Sequence, residues 1–251
     1  MDKKHAFIIS ILLTGLIASS IYTFSSLLHD PEKRTSAIIT RVIDGDTLEI
    51  EDGSSTRLLN INSPEKNSPL HELSKSFLSS LVNKTVELDI IDRDKYNRLL
   101  VRVYSPDYIN KELVSEGLAS KFLVSNSELK SFAKLEEEAI SKGKGIWKHS
   151  NYYGCFSTHI NKNEEIVSLK NECMPINMNL WVLKDESRKI YVFNNITLKK
   201  SEELSLHSSI GEDNEKELFW NSKTSIWNND RDTLYLFDNE EKIVHHETYG
   251  Y

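Results

Sequence analysis

Short runs of apolar residues, separated by turn-forming residues, recur between residues 36 and 103. The runs are four to six residues long and rich in Ile, Val, Leu and Thr, which is typical of β-strands joined by turns. An Asp52-Gly53 pair between two of the runs predicts a tight hairpin turn. The five predicted strands are Ala37–Val42, Thr47–Ile50, Thr56–Leu59, Val86–Ile90 and Leu99–Val103.

Apolar residues recur at helical spacing in three segments of the same region. The predicted helices run from Leu70 to Leu81, from Ile109 to Phe122 and from Glu128 to Lys142. Glycines near the ends of the second and third segments are typical of helix termination. Five short strands with helices between and after them predict an α+β domain on a five-stranded barrel of the OB type.

The pattern changes after Trp147. Asn, Ser and Thr become more frequent, the strands shorten, and turns recur at the spacing of an all-β sandwich. The predicted organisation is therefore an N-terminal segment at 1–34, a barrel domain at 35–149, a linker at 150–162 and a β-sandwich at 163–251.

The N-terminal segment has no charged side chain from Ala6 to Leu28, and Lys3 and Lys4 precede this run. Its length favours an uncleaved membrane anchor, since a spanning helix needs roughly 20 residues. The sequence Ala18-Ser19-Ser20 leaves a cleaved signal peptide open. In either case the preceding lysines predict that the chain downstream lies outside the cytoplasmic membrane, anchored or secreted.

Composition and charge narrow the function. A hydrophobic content of 39% is enough for a packed core, which excludes a disordered chain. The net charge is −7, and residues 35–150 carry 16 basic and 18 acidic side chains. A protein that held DNA mainly by neutralising phosphates would be cationic, so this balance favours an enzyme with a local charged site.

Two cysteines, Cys155 and Cys173, lie beyond the barrel domain. In an oxidising compartment such a pair is a candidate disulfide, and two unpaired buried thiols are the alternative. The further Cys or His ligands that a zinc site would need do not accompany them.

Residues suited to phosphodiester hydrolysis follow one another in the barrel domain. Asp44-Gly45-Asp46-Thr47 places two carboxylates on a turn, where they suit a hard oxygen-seeking cation. Arg57 lies on the next strand, Asn62-Ser63-Pro64-Glu65 follows, and Arg98 comes later. Arginine binds phosphate well because its planar guanidinium makes paired hydrogen bonds. Each feature alone is more common in structural roles, so the set is suited to phosphodiester hydrolysis without specifying it.

In order and spacing, three blocks resemble the thermonuclease (staphylococcal-nuclease-like) family. They are Val42–Thr47, Arg57–Glu65 and Asp94–Arg98, and the later segments 113–119 and 143–147 are also similar to that family. The resemblance extends over roughly residues 36–148 and implies a Ca²⁺-dependent enzyme. Such an enzyme cleaves DNA and RNA on the 5′-oxygen side and leaves 3′-phosphates.

The resemblance also implies a role for each matching residue. Asp46, Asn62 and the backbone carbonyl of Ser63 would bind Ca²⁺, and Glu65 would activate or orient the attacking water. The remaining implied residues are the phosphate-clamping Arg57 and Arg98, and Tyr96 and Lys95 beside the substrate.

Two departures from the family pattern bear on activity. Asn62 stands where the family usually has aspartate, so the calcium shell has one charge fewer. Because calcium affinity depends on the charge of the ligands, we expect binding weaker by on the order of tenfold or more. Leu123 and Ser125 stand where the best-known members carry base-stacking tyrosines, and stacking contributes about 1–3 kcal/mol per base.

The C-terminal region resembles the lamin-tail domain, a compact immunoglobulin-like sandwich. The resemblance rests on Trp227-Asn228-Asn229-Asp230 followed by an alternating strand, and it extends over about 163–251. Loop-capping roles are expected for Asp230 and Asp232, and core positions for the tryptophans. The ligand of this domain is not apparent from the sequence.

Two hypotheses follow. The first is a monomeric extracytoplasmic nuclease with DNA or RNA as substrate, single-stranded nucleic acid being preferred. The second is a catalytically weak or dead OB-type module that binds nucleic acid or protein beside an adhesive lamin-tail domain, and Asn62 is its main support. Glu65, Arg57 and Arg98 favour the enzyme, because a pure binding module has little use for a general base beside two arginines.

Overall fold

The computed structural model describes residues 34–66, 68 and 70–251. The predicted membrane segment therefore lies outside the described residues, apart from Arg34 at its end. Among the residues that are described, no helix is long and apolar enough to cross a membrane.

The first domain is a closed five-stranded barrel with the strand order β1-β2-β3-β6-β5. β3 and β6 pair in parallel. The other neighbouring strands of the barrel whose register is described pair antiparallel. The strands of this domain are β1 Thr35–Asp44, β2 Thr47–Ile50, β3 Ser55–Leu58, β4 Ile61–Asn62, β5 Thr85–Arg93, β6 Leu99–Tyr104 and β7 Ser120–Lys121. The prediction of a five-stranded barrel with helices is confirmed.

The barrel forms because its strands alternate. β6 buries every second residue, so that Leu99, Val101 and Val103 point into the barrel while their neighbours are only partly covered. The helices close the barrel with further apolar side chains, among them Leu78, Leu113 and Phe132. They are α1 His71–Ser79, α2 Ile109–Ser115 and α3 Leu129–Ser141.

The second helix is shorter than predicted. It ends at Ser115 rather than continuing to Phe122, because Gly117 adopts a left-handed conformation with φ of +64°. A Cβ at this glycine would lie 2.3 Å from the Lys144 carbonyl oxygen, which no other residue type could accommodate. Beyond the turn, Ser120 and Lys121 form β7 and pair with β4, so the chain there is a strand.

The second domain is all-β, as predicted. Two four-stranded sheets, β12-β11-β16-β17 and β15-β14-β9-β8, are accompanied by the short pair β10-β13. Its strands are β8 Phe156–Asn161, β9 Ile166–Asn171, β10 Ile176–Asn177, β11 Val182–Lys184, β12 Ile190–Val192, β13 Thr197–Leu198, β14 Glu203–His207, β15 Glu217–Phe219, β16 Asp232–Phe237 and β17 Ile243–Tyr249. β8 falls within the predicted linker at 150–162, where its weak alternation concealed a strand that pairs along its whole length with β9.

A single apolar cluster joins the sheets of the second domain and includes Trp181, Trp227 and the partly buried Trp220. The tryptophans are core residues, as expected. Cys155 and Cys173 form a disulfide beside this core. Asp232 accepts hydrogen bonds from the backbone N–H groups of Glu186 and Asn228, which is the loop-capping role predicted for it.

The two domains share a third apolar cluster. Trp147, in a short 3-10 helix at Gly145–Trp147, stacks on Tyr235 and Phe237 of β16, with ring centroids 5.1 and 6.2 Å apart. Beside this cluster the fully buried Lys121 donates hydrogen bonds to Glu136 of α3 and to Thr233 of β16. Apolar packing, and hydrogen bonds that link this buried pair of the barrel domain to Thr233 and Tyr235 of β16, therefore hold the sandwich against the barrel.

Candidate active site

The turn between β1 and β2 carries a buried carboxylate. A Cβ on Gly45 would lie 2.6 Å from Ser74 Cβ and 2.8 Å from Ser63 Cβ, so only glycine lets the turn approach these residues. The close approach brings Asp46 against the loop that follows β4. Its Oδ2 accepts hydrogen bonds from the backbone N–H and the hydroxyl of Ser63, both at 3.1 Å.

Arg57, on β3, is fixed next to this carboxylate. Its Nη2 lies 3.2 Å from Asp46 Oδ2 and donates to Ile61 O and Asn62 Oδ1, each at 2.7 Å. The pKa of Arg57 is lowered, first by burial and then by the positive charges of Arg188 and Arg98, while Asp46 opposes the shift. The guanidinium is therefore a rigid, largely desolvated donor at the edge of the barrel.

The loop after β4 presents three of the predicted residues on one side. Asn62 and Ser63 are buried, whereas 65% of the Glu65 side chain is exposed. His71 of α1 supports the loop, because its Nδ1 lies 3.2 Å from the Pro64 carbonyl oxygen and 3.3 Å from Asp44 Oδ1. The arrangement combines a buried carboxylate, an exposed carboxylate and a buried amide around one position.

A residue of the second domain completes this cluster. Arg188, in the turn between β11 and β12, donates from Nη1 to Glu65 Oε1 and from Nη2 to the Ser63 carbonyl oxygen at 3.0 Å. The same Nη2 lies 3.6 Å from Asp46 Oδ2. The cluster thus contains two carboxylates and two guanidiniums, and one of the guanidiniums comes from the lamin-tail-like domain.

The β5–β6 turn holds the remaining predicted residues. Asp94 fixes Arg98 through hydrogen bonds to Nε at 2.8 Å and to the backbone N–H at 3.0 Å. Tyr96 is 68% exposed, and its ring lies under Lys95 Nζ at 5.0 Å and Arg98 Cζ at 5.5 Å. The positive charge of Arg98 is also among the causes of the lowered pKa of Arg57.

Leu123 and Ser125 stand at the positions where the family pattern has base-stacking tyrosines. Leu123 is 70% exposed and has a φ of +46°, and Ser125 is tied to Glu128 through a 3.1 Å hydrogen bond. Neither side chain offers an aromatic face.

The donor set fits a hard divalent cation. Asp46 Oδ2 and the Ser63 carbonyl oxygen both lie close to one cationic nitrogen, Arg188 Nη2. The Asn62 amide oxygen accepts a hydrogen bond from Arg57 at the same edge of the barrel. Carboxylate, amide and carbonyl oxygens are the ligands that Ca²⁺ prefers. Within residues 34–66, 68 and 70–251 no three His, Cys, Asp or Glu side chains gather into a metal site, so a cation here would need the amide and carbonyl oxygens.

A cavity of about 280 Å³ adjoins the cluster where the two domains meet. Glu65 and Arg188 form part of its wall, together with the half-buried Lys184 and the aromatic rings of Trp147 and Phe237. Burial lowers the pKa of Lys184 to about 8, with smaller opposing effects of Glu65 and Arg188.

Sequence reasoning missed Arg188. The residue is separated from Glu65 by 123 positions and lies in a polar turn, Asp185–Lys189, that carries no motif. Only the docking of the two domains brings them together. The motif residues Asp46, Arg57, Asn62, Ser63 and Glu65 do converge in space.

Comparison with known proteins follows the same division of the chain. The family model described as staphylococcal nuclease homologue matches residues 55–149, and the lamin tail domain model matches residues 156–251. An "uncharacterized endonuclease" of Escherichia coli O157:H7 is 34% identical over 119 residues, which cover 45% of this chain and 77% of the relative. A protein of the same description from Escherichia coli shows the same identity and coverage.

These matches confirm the resemblance of both regions. The likeness to an endonuclease extends over most of the relative, and the barrel carries the buried carboxylate and arginines described above. The chain is a nuclease whose substrate is nucleic acid, and it belongs to the staphylococcal nuclease homologue family, with a lamin tail domain following the nuclease domain.

Proposed function

We propose that this nuclease hydrolyses phosphodiester bonds of DNA or RNA in a Ca²⁺-dependent reaction with 3′-phosphate products. The observation that carries the proposal is the convergence of Asp46, Ser63 and Glu65 beside the buried Arg57. The general dependence of the family on Ca²⁺ supports the choice of metal.

Asp46, Asn62 and the Ser63 carbonyl would hold the cation. When bound, Ca²⁺ supplies positive charge that stabilises the extra negative charge on the phosphate in the transition state. Asn62 contributes a neutral oxygen, so this set needs more calcium for saturation than a set with aspartate at the same position.

The protein's own groups carry the rest of the reaction. Glu65, whose side chain is exposed, takes a proton from the attacking water. The water oxygen then bonds to phosphorus while the bond from phosphorus to the 5′-oxygen breaks. Arg57 and Arg98 donate hydrogen bonds to the phosphate oxygens, and the Asp94 contact holds Arg98 ready for this role. Lys95 and Tyr96 lie on an exposed turn, where the nucleic-acid chain that flanks the scissile bond can pass.

We also propose that the chain acts as a monomer outside the cytoplasmic membrane. The uncharged run Ala6–Leu28 behind Lys3 and Lys4 supports export. The Cys155–Cys173 disulfide supports it as well, since disulfides persist in oxidising compartments. Comparing the mass of the mature N-terminus with that of the intact chain distinguishes an anchor from a cleaved signal.

The test is hydrolysis of single-stranded DNA and RNA by the full chain, in millimolar Ca²⁺ and in excess EGTA. We expect cleavage in Ca²⁺, loss of cleavage in EGTA, and products with a terminal 3′-phosphate. Glu65→Gln should abolish most of the activity, whereas Glu72→Gln, at a 74% exposed carboxylate on α1, should leave it unchanged. Cleavage that persists in EGTA or in the Glu65→Gln variant would refute the mechanism.

The second candidate function is a binding module with little or no hydrolysis, and the neutral Asn62 favours it. The same assay separates the two. Retention of single-stranded nucleic acid without cleavage at saturating Ca²⁺ would establish the binding module in place of the enzyme.

A further inference from the structure

The turn that carries Arg188 is a fixed part of the lamin tail domain. It joins β11 to β12, and the Asp185 carboxylate accepts the backbone N–H of Lys189 at 2.7 Å. Arg188 itself has a φ of +71°, in the left-handed region that favours Gly and Asn. An arginine in this conformation is uncommon, and its side chain is directed away from its own sheet and into the nuclease site.

The guanidinium of Arg188 contacts two of the three groups proposed to hold Ca²⁺. These are Ser63 O at 3.0 Å and Asp46 Oδ2 at 3.6 Å, both from Nη2. Its Nη1 contacts Glu65, the carboxylate proposed to take the proton from water. The oxygens that a cation would use are therefore already engaged by a positive charge of this chain.

The two carboxylates in direct contact with the guanidiniums are matched by the same number of positive charges. Asp46 and Glu65 are opposed by Arg57 and Arg188, and Asn62 adds no charge. A divalent ion added among these groups would meet two positive charges within a few ångströms. Removal of one of these two positive charges would increase the electrostatic attraction of the site for Ca²⁺.

The two arginines differ in how easily they can leave. Arg57 is 13% exposed and is held by Ile61 and Asn62 of its own domain. Arg188 is 34% exposed, and its guanidinium donates hydrogen bonds to Ser63 and Glu65 of the other domain. A long side chain on a surface turn can change its conformation more easily than a buried one. Arg188, rather than Arg57, is therefore the arginine that a cation would displace.

We propose that Arg188 is a third active-site arginine, supplied by the lamin tail domain, which competes with Ca²⁺ for Asp46 and Ser63 and raises the calcium concentration that the nuclease requires. The inference rests on the proposed calcium site. Arg188 is a positioning residue here: it occupies the ligands and Glu65 until the cation displaces it. The lamin tail domain thereby sets the calcium threshold of the enzyme.

The experiment measures Ca²⁺ binding directly, by isothermal titration calorimetry of the full chain without nucleic acid. The variant is Arg188→Asn, because asparagine accepts the positive φ and lacks the guanidinium. Removing one competing charge should lower the Kd for Ca²⁺ by about tenfold, the order by which ligand charge changes calcium affinity. Arg188→Gly serves as a second variant with the same expectation.

Arg231→Asn is the matched control. Arg231 is also an arginine of the lamin tail domain that reaches the nuclease domain, with hydrogen bonds to Val124 O at 2.9 Å and Asn126 Oδ1 at 3.1 Å. In the part of the chain that the structure describes, its hydrogen bonds and ring contact do not involve Asp46 or Ser63. Its replacement should leave the Kd for Ca²⁺ within about twofold of the wild type, since removal of a distant screened charge has little effect.

Cleavage assays over a range of Ca²⁺ concentrations add a second readout. In Arg188→Asn the half-saturating Ca²⁺ concentration for cleavage should fall in parallel with the Kd, whereas in Arg231→Asn it should stay within about twofold of the wild type. A loss of kcat at saturating Ca²⁺ would mean that Arg188 stabilises the transition state, and it would overturn the proposed competition.

The outcomes separate this inference from the proposed function. Equal Ca²⁺ affinity of wild type and Arg188→Asn, with calcium-dependent cleavage intact, would overturn the inference alone. Absence of Ca²⁺ binding in every variant would overturn both. Tighter binding in Arg188→Asn but not in Arg231→Asn would establish the competition.

Discussion

The buried ion pair between Lys121 and Glu136 lies in the nuclease domain and hydrogen-bonds to β16 of the lamin tail domain, so it offers a strong test of what stabilises the fold at the boundary between the domains. The Lys121 side chain is 1% exposed and that of Glu136 is 2% exposed. Lys121→Met keeps an aliphatic stem of similar shape and removes the charge. Glu136 would then be a buried carboxylate whose remaining partners are the Lys121 backbone N–H at 2.8 Å and the Tyr235 hydroxyl at 2.9 Å.

The magnitude follows from this isolation. Removing one member of a buried pair typically costs about 3–5 kcal/mol, because the other charge stays desolvated without compensation. In a chain of this length, 1 kcal/mol corresponds to roughly 2–4 °C in Tm, so Lys121→Met should lower Tm by roughly 6–20 °C. Lys121 also donates to Thr233 at 2.6 Å, so the loss should loosen the contact between the domains.

Calorimetry and urea unfolding measure the effect. The double variant Lys121→Met/Glu136→Gln should regain most of the stability, because the neutral amide can accept the Lys121 backbone N–H with its oxygen and donate to the Tyr235 hydroxyl with its NH2 group. Lys134→Met, at a lysine with a 78% exposed side chain, is the control and should change stability by less than about 0.5 kcal/mol. If Lys121→Met falls within that same range, the pair does not stabilise the fold and the reasoning is refuted.

Three further predictions concern activity, the disulfide and pH. Arg98→Ala should lower turnover by about 10²–10³, whereas Arg93→Ala, at the last residue of β5, should not; equal losses in single-turnover assays would contradict the assignment. Replacing Cys155 and Cys173 by serine should cost about 3 kcal/mol of unfolding free energy without abolishing nuclease activity, since the bridge closes a short loop in the other domain; unchanged urea unfolding would contradict this. Burial, and secondarily the adjacent His246, lowers the pKa of His245 to about 4 from 6.5, so the unfolded chain binds more protons between these values and stability falls as pH falls through this window. The His245→Gln variant should flatten that slope by up to about 1.4 kcal/mol per pH unit, measured by urea unfolding at pH 4–7; an unchanged slope would be the contrary result.

The barrel could be predicted because its signals are local. Alternation along Leu99–Tyr104 and the Asp52-Gly53 turn fix strands and hairpins within a few residues of one another. The second helix shows where local signals end. Apolar spacing alone continues it to Phe122, but pairing of Ser120 and Lys121 with β4, a contact across about sixty positions, makes the segment a strand.

The active site likewise has features that the sequence predicts and features that it does not. Asp46, Arg57, Asn62, Ser63 and Glu65 follow one another closely along the chain, and the turns between their strands are short enough to bring them together. Their ordered spacing was therefore sufficient to recognise a nuclease. Their present hydrogen-bond partners were not predictable, because the partners depend on packing.

The sequence by itself determined the nuclease family, the all-β C-terminal domain and the residues at the edge of the barrel, since strand alternation, turn residues and motif spacing are properties of neighbouring positions. Tertiary structure alone decided that Arg188 reaches Glu65 across 123 positions and that Lys121 is buried against Thr233 across 112. These contacts arise from the docking of Trp147 on β16, which places two separately patterned surfaces together. No periodicity within either surface encodes which residues of the other it will meet.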